Sequence, residues 1–153
     1  MLQRLKFNIK DLVNEMLDQL PKEVFQSKTT TFYDPFVGGG QFVVEVENRL
    51  RQCGHSNENI SKRVFGYVGN RIRLNYIMNT HKLVGNYKTT PIENMNFNVV
   101  LGNPPYHTPG KSSDHNKLWI QFLIKSRTLL KPNGYLTLIT PSSYINTSRH
   151  GKK

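Results

Sequence analysis

Two consecutive prolines, Pro104 and Pro105, stand directly behind an apolar run from Asn98 to Leu101. No other junction constrains the chain as much. Neither proline has an N–H to donate, so a strand that ends there cannot go on pairing and the backbone must stop and turn at Asn103. The turn leaves acceptors free. The Asn103 side-chain oxygen and the Pro104 carbonyl lie side by side with no competing donor between them, which is what gripping an exocyclic NH2 group requires. Tyr106 adds a flat face on which a planar ring can stack. Asn-Pro and Pro-Pro are also ordinary turn dipeptides, so taken alone the tetrapeptide reads equally well as a plain loop.

A second stretch, earlier in the chain, has a complementary form. Thr29 to Phe36 is β-branched and aromatic, as a strand requires, and it runs through Asp34, Pro35 and Phe36 into Gly38, Gly39 and Gly40. A helical pattern follows from about Gln41 to Gln52. The glycines let the backbone adopt positive φ and approach a ligand closely, while the helix directs its positive end at that ligand. No Gly-Lys-Ser/Thr follows, so this is not a phosphate loop.

Together the two stretches, whose Asp34 and Asn103 are 69 positions apart (103 minus 34), resemble the S-adenosylmethionine-dependent DNA N6-adenine methyltransferases. In that family the cofactor loop reads Asp-Pro-Phe-x-Gly-x-Gly and the catalytic loop Asn/Asp-Pro-Pro-Tyr/Phe/Trp, and the resemblance runs in order from about Leu12 to Ile145. It implies a Rossmann-like methyltransferase fold, a doubly wound and mostly parallel α/β sheet in the strand order 3-2-1-4-5. It also implies S-adenosylmethionine held by Asp34, Phe36, Gly38 and Gly40, with Asn70 and Asn86 at the ends of strands two and three. Asn103, Pro104, Pro105 and Tyr106 would be the catalytic set. Asn103 and the Pro104 carbonyl would hold the two amine hydrogens and aim the nitrogen lone pair at the methyl group, with Tyr106 stacked on an adenine swung out of the duplex. The family places acids at the ends of strands two and three. Here Val68-Gly69-Asn70 and Gly85-Asn86-Tyr87 stand there instead, and Phe7-Asn8-Ile9 replaces an aromatic-Thr-Pro element ahead of the first helix.

Composition bears on the partner. A net charge of +11 suits a polyanion such as DNA. An RNA adenine methyltransferase, a protein glutamine methyltransferase and a catalytically impaired DNA- or protein-binding relative remain open as alternatives. At 153 residues and 37% hydrophobic content the chain is expected to form one catalytic domain, without a separate target-recognition domain. No apolar run reaches the roughly 20 residues of a membrane span, and the charged N-terminus lacks a signal-peptide core. The single cysteine, Cys53, permits no internal disulfide, which fits a cytoplasmic setting.

Several local expectations complete the reading. Leu12, Val13, Met16, Leu17 and Leu20 form a helical stripe closed by Pro21; Cys53 to Ser61 is a surface loop; Arg63 to Val68 is strand two. Arg71 to Thr80 is a helix with Ile72, Tyr76 and Ile77 inward, and Asn70 is equally well its N-cap as a ribose contact. Lys82 to Thr90 holds strand three and Val99 to Leu101 strand four. His107 to Asn116 reads as a lid, and its His107 and His115 are not expected to bind metal. Asp114 caps a helix whose buried face is Leu118, Trp119, Phe122, Leu123, Leu129 and Leu130. A turn at Lys131 to Gly134 then leads to strand five, Tyr135 to Thr140. Relatives continue with two further strands, so strand five is expected to be a bare edge that invites self-association or a partner polypeptide.

Overall fold

The computed structural model describes residues 8–106 and 118–141. The expectations placed on Phe7, the lid with His107 and His115, Asp114, and the tail from Ser142 onward fall outside them.

Five parallel strands form one sheet in the order β3-β2-β1-β4-β5, the doubly wound arrangement expected from the sequence. They are β1 (Phe32–Asp34), β2 (Val64–Tyr67), β3 (Asn86–Lys88), β4 (Phe97–Gly102) and β5 (Leu130–Leu138). The helices are α1 (Ile9–Asp18), α2 (Glu23–Gln26), α3 (Gln41–Gln52), α4 (Asn57–Ser61), α5 (Arg71–His81) and α6 (Leu118–Thr128). Side chains alternate across the sheet. Phe32, Val64, Val99 and Leu101 join the core with Val43, Val46 and Leu50 of α3 and Leu74 and Ile77 of α5. Tyr33, Phe65, Phe97 and Val100 face the other way, packing with Leu129 at the end of α6.

Asn98 fixes the level at which β1 meets β4. Its Oδ1 accepts hydrogen bonds from the Thr31 N–H and the Thr31 hydroxyl, each at 3.0 Å, so Phe32 lies opposite Val99 and Tyr33 opposite Val100. The two strand ends that carry the glycine loop and the Asn-Pro-Pro-Tyr loop therefore emerge beside one another.

Three expectations need correcting. Ile72 and Tyr76 of α5 are 86% and 65% exposed; Ile77 points inward as expected, and its inward companion is Leu74. The helix starts where expected, capped by Asn70 Oδ1 accepting from Arg73 N at 2.9 Å, and it is the packing of Leu74 with Ile77 in the core that sets which face turns inward. The stretch Cys53 to Ser61 is not all loop: Ser56 caps the short α4 through Asn59 N at 3.1 Å, and Ile60 is fully buried. Strand five begins at Leu130, which sequence periodicity assigns to the preceding helix. The expected turn is absorbed as an irregularity within the strand, where Asn133 takes a φ of 60° and the register against β4 shifts. Trp119 is buried, as expected for a core residue.

Candidate active site

Asp34 ends β1, and its carboxylate is buried at 1% exposure with Oδ1 accepting the Phe36 N–H at 2.8 Å. Burial pushes its pKa up to about 7, against the opposing pull of that N–H. Gly102 ends β4 beside it. A Cβ on Gly102 would lie 2.7 Å from Asp34 Oδ1, so the last residue before Asn103 packs directly on the carboxylate.

The glycine loop lies above this pair. Gly38 and Gly40 take φ values of 56° and 91°, which a side chain would strain, and Gly40 serves as the N-cap of α3 without any side-chain cap. Among the described residues no side chain caps the first N–H groups of α3, and the helix has no acid in its first turn. Val37 N donates to the Tyr67 carbonyl at 3.0 Å, tying the loop to the end of β2. The Phe36 ring leaves the loop to meet Phe122 of α6 edge-on, at 5.9 Å and 74°.

On the other side of the crevice, Asn103 is exposed, Pro104 buried, and Pro105 and Tyr106 half-buried. The Tyr106 hydroxyl donates to Asn103 Oδ1 at 3.1 Å. Partial burial raises the Tyr106 pKa. Among the described residues no hydrogen bond reaches the Pro104 carbonyl. The two acceptors expected from the sequence thus stand at the carboxyl end of the sheet, one of them touched by the adjacent phenol.

Asn70 and Asn86 are placed differently. The Asn70 oxygen is taken by its capping bond, although the residue does stand at the crevice end of β2. Asn86 opens β3 opposite Phe65 and so lies at the amino end of the strand, away from the crevice. A structural clamp explains its surroundings. The fully buried Glu47 of α3 accepts from Val84 N, Gly85 N, the Tyr87 hydroxyl and Arg51 Nη2, at 3.1, 2.8, 2.6 and 2.7 Å. The crevice end of β3 is instead Lys88, whose carbonyl accepts from Val68 N at 2.9 Å. Val68 itself is buried in the core on the α3 side.

A cavity of about 260 Å3 opens beside the crevice on the α6 face, lined among others by Tyr33, Pro35, Tyr67, Pro91, Phe122 and Ser126. No helix connects β3 to β4, so the sheet face beneath Pro91 is covered only by loop and by α6. Sequence reasoning missed this cavity. Leu118 and Phe122, one turn apart, were assigned to the core, yet both line it and neither is fully buried. The available signal was Tyr67, an aromatic at a strand end that a closed core does not need. Ser126 Oγ is buried there without a hydrogen-bond partner. Among the described residues, no three His, Cys, Asp or Glu side chains converge as a metal site requires.

Residues 41–153 match the sequence model of the Eco57I restriction-modification methylase family. The fold is similar to that of the type I restriction-modification system methyltransferase subunit from Streptococcus thermophilus, with 23% identity, a TM-score of 0.50, and coverage of 76% of this chain and 32% of that one. A modification subunit described as belonging to a type I restriction enzyme, from Vibrio vulnificus YJ016, aligns at 16% identity and a TM-score of 0.46, covering 80% of this chain and 37% of that one. The chain spans about a third of the length of these solved chains. No curated protein matches the sequence.

Proposed function

The chain belongs to the Eco57I restriction-modification methylase family, and from that premise we propose that it transfers a methyl group from S-adenosylmethionine to the N6 amine of adenine in DNA. The observation that carries this reading is the contact of Asp34 with Gly102, which brings a carboxylate for the cofactor's amine next to the loop that carries an acceptor pair for the base's amine.

The residues present fit the cofactor. Asp34 is a buried carboxylate with no cation contributing to its pKa among the described residues, so a ligand ammonium is a natural partner for its charge. The uncapped first turn of α3 suits a carboxylate. The apolar cavity beside Phe36 suits a flat purine, and Phe122 and Tyr67 offer aromatic surface to it. When bound, the cofactor supplies an electrophilic methyl group. On the acceptor side, Asn103 Oδ1 and the Pro104 carbonyl take the two amine hydrogens, which fixes the nitrogen and directs its lone pair. The Tyr106 hydroxyl yields its place on Asn103 Oδ1 while its ring stacks on the base. The proton displaced from nitrogen leaves to solvent after the methyl is gained, so no strong base is needed.

The net charge of +11 supports a nucleic-acid partner, and nothing among the described residues favours RNA or a protein glutamine as the acceptor. A second polypeptide is part of the proposal. In the described sheet β5 is an edge, where Leu136 and Leu138 with Leu123 and Thr140 enclose a recess of about 170 Å3. Among the described residues no helix is long and apolar enough to cross a membrane; a cytoplasmic setting is proposed with the DNA substrate. The test is transfer of a tritiated methyl group to an adenine-containing duplex, assayed alone and with added partner subunit. Label on adenine N6 that is lost in Asn103→Ala supports the assignment, whereas label elsewhere, or equal labelling by the variant, overturns it.

A further inference from the structure

A helix that meets only water on its outer side normally turns polar residues outward, and α5 departs from this. Its inner residues, Leu74 and Ile77, belong to the core shared with α3. On the opposite side stand Ile72 and Tyr76, the two most exposed large hydrophobic side chains among the described residues. They lie one turn apart, and the exposed Asn79 follows on the same line. Single exposed apolar side chains are common; a ridge of two at helical spacing is what a second helix packs against. The charges around this ridge have one sign. Arg71 and Arg73 flank Ile72, both are exposed, and no ion pair holds either among the described residues. They occupy the first turn of α5, which contains no acid, so the helix dipole disfavours their charge there. Along the chain no Asp or Glu occurs between Glu58 and Glu93, a stretch that carries Lys62, Arg63, Arg71, Arg73, Lys82 and Lys88. Neither helix stability nor an internal salt bridge accounts for the two arginines, whereas carboxylates brought from outside would gain from both.

We propose that the outer face of α5 docks an acidic amphipathic helix of a partner protein, whose apolar side chains cover Ile72 and Tyr76 while its Glu or Asp residues meet Arg71 and Arg73. Tyrosine and arginine are the residue types that carry much of the binding energy at protein interfaces. The mixture of apolar and basic residues decides between occupants. Phosphates would engage the arginines but leave Ile72 without an apolar partner, so a nucleic acid gains from only half of the face. A second copy of the chain, packed about a two-fold axis, would set arginine against arginine. Because α5 joins β2 to β3, at the other end of the strand order from β5, this surface is separate from the β5 edge.

Fluorescence anisotropy of a labelled synthetic peptide tests this. The probe is a helix-forming peptide of about 20 residues, with Leu repeating at one-turn spacing and Glu on both flanks, compared with a scrambled peptide of the same composition. Wild type is expected to bind the patterned peptide about tenfold tighter than the scrambled one, since only the pattern presents apolar residues and carboxylates together. Ile72→Ser combined with Tyr76→Ser should remove that preference and leave a weak, salt-sensitive affinity for both peptides. Arg71→Gln combined with Arg73→Gln should weaken the patterned peptide about tenfold at low salt and much less at high salt. All four positions are exposed, so the fold should tolerate these changes, and melting curves verify it. Equal binding of the two peptides by wild type, or a preference that survives the Ile72 and Tyr76 changes, overturns the proposal. So does an adenine-containing duplex whose affinity falls with those same two changes, because the face would then belong to nucleic acid.

Discussion

Replacing Asp34 by asparagine should stabilise the ligand-free protein, and by an amount that depends on pH. The side chain keeps its volume and its acceptor for Phe36 N, but no longer has a charge to bury. Burial raises the Asp34 pKa from the ordinary 3.8 to about 7. Because the folded value lies above the unfolded one, the protonated acid contributes fully below pH 3.8, and the fold loses that contribution as pH rises through 7. At roughly 1.4 kcal/mol per tenfold change, the rise corresponds to about 4 kcal/mol once both states are ionised. The Asn variant escapes that loss. Urea unfolding of both proteins from pH 4 to pH 8, followed by the fluorescence of the buried Trp119, should therefore show a stability gap that is near zero at the acid end. The gap should open to about 4 kcal/mol above neutrality. A gap that is constant with pH, or one that favours wild type at pH 8, would refute the buried carboxylate, without a cation among the described residues, on which the cofactor argument depends.

Other substitutions have separable outcomes. Asn103→Ala removes one of two amine acceptors at an exposed turn, so methyl transfer should fall by about a hundredfold or more with the melting temperature unchanged. Glu47→Gln leaves Arg51 Nη2 without its carboxylate and weakens the grip on Val84 N, Gly85 N and the Tyr87 hydroxyl, costing about 3 kcal/mol in denaturant unfolding. Ser126→Ala deletes a buried hydroxyl that has no partner and should stabilise the ligand-free chain by about 1 kcal/mol in the same assay.

The strand order and the positions of the glycine loop and of the Asn-Pro-Pro-Tyr loop were legible because each rests on backbone chemistry that the residue types dictate. Prolines stop β4, glycines bend the chain into α3, and parallel strands joined by helices have few ways to pack. Asn70 was legible as a cap for the same reason. What escaped depended on partners distant in sequence. Ile72, Tyr76 and Ile77 make a plausible inward set, and only the packing of Leu74 against the sheet decides the phase. Gly85-Asn86-Tyr87 resembled a strand end until Glu47, 40 positions before Tyr87, was seen to close on it from α3. The cavity was hidden because Leu118 and Phe122 have the spacing of core residues. Only the lack of a helix between β3 and β4 leaves them facing open space. Nor does any residue type announce that Asp34 and Gly102 meet across 68 positions (102 minus 34).

The central claim is that the glycine loop, Asp34 and the cavity by Phe122 form one cofactor site facing Asn103. Calorimetric titration of the chain with S-adenosylmethionine in two buffers of different ionisation heat tests it most directly. The account predicts saturable one-site binding that releases a proton below about pH 7, as the ligand's positive charge holds Asp34 ionised, with both the release and much of the affinity lost in Asp34→Asn. No saturable heat, or binding whose proton count and affinity are the same in that variant, would contradict it.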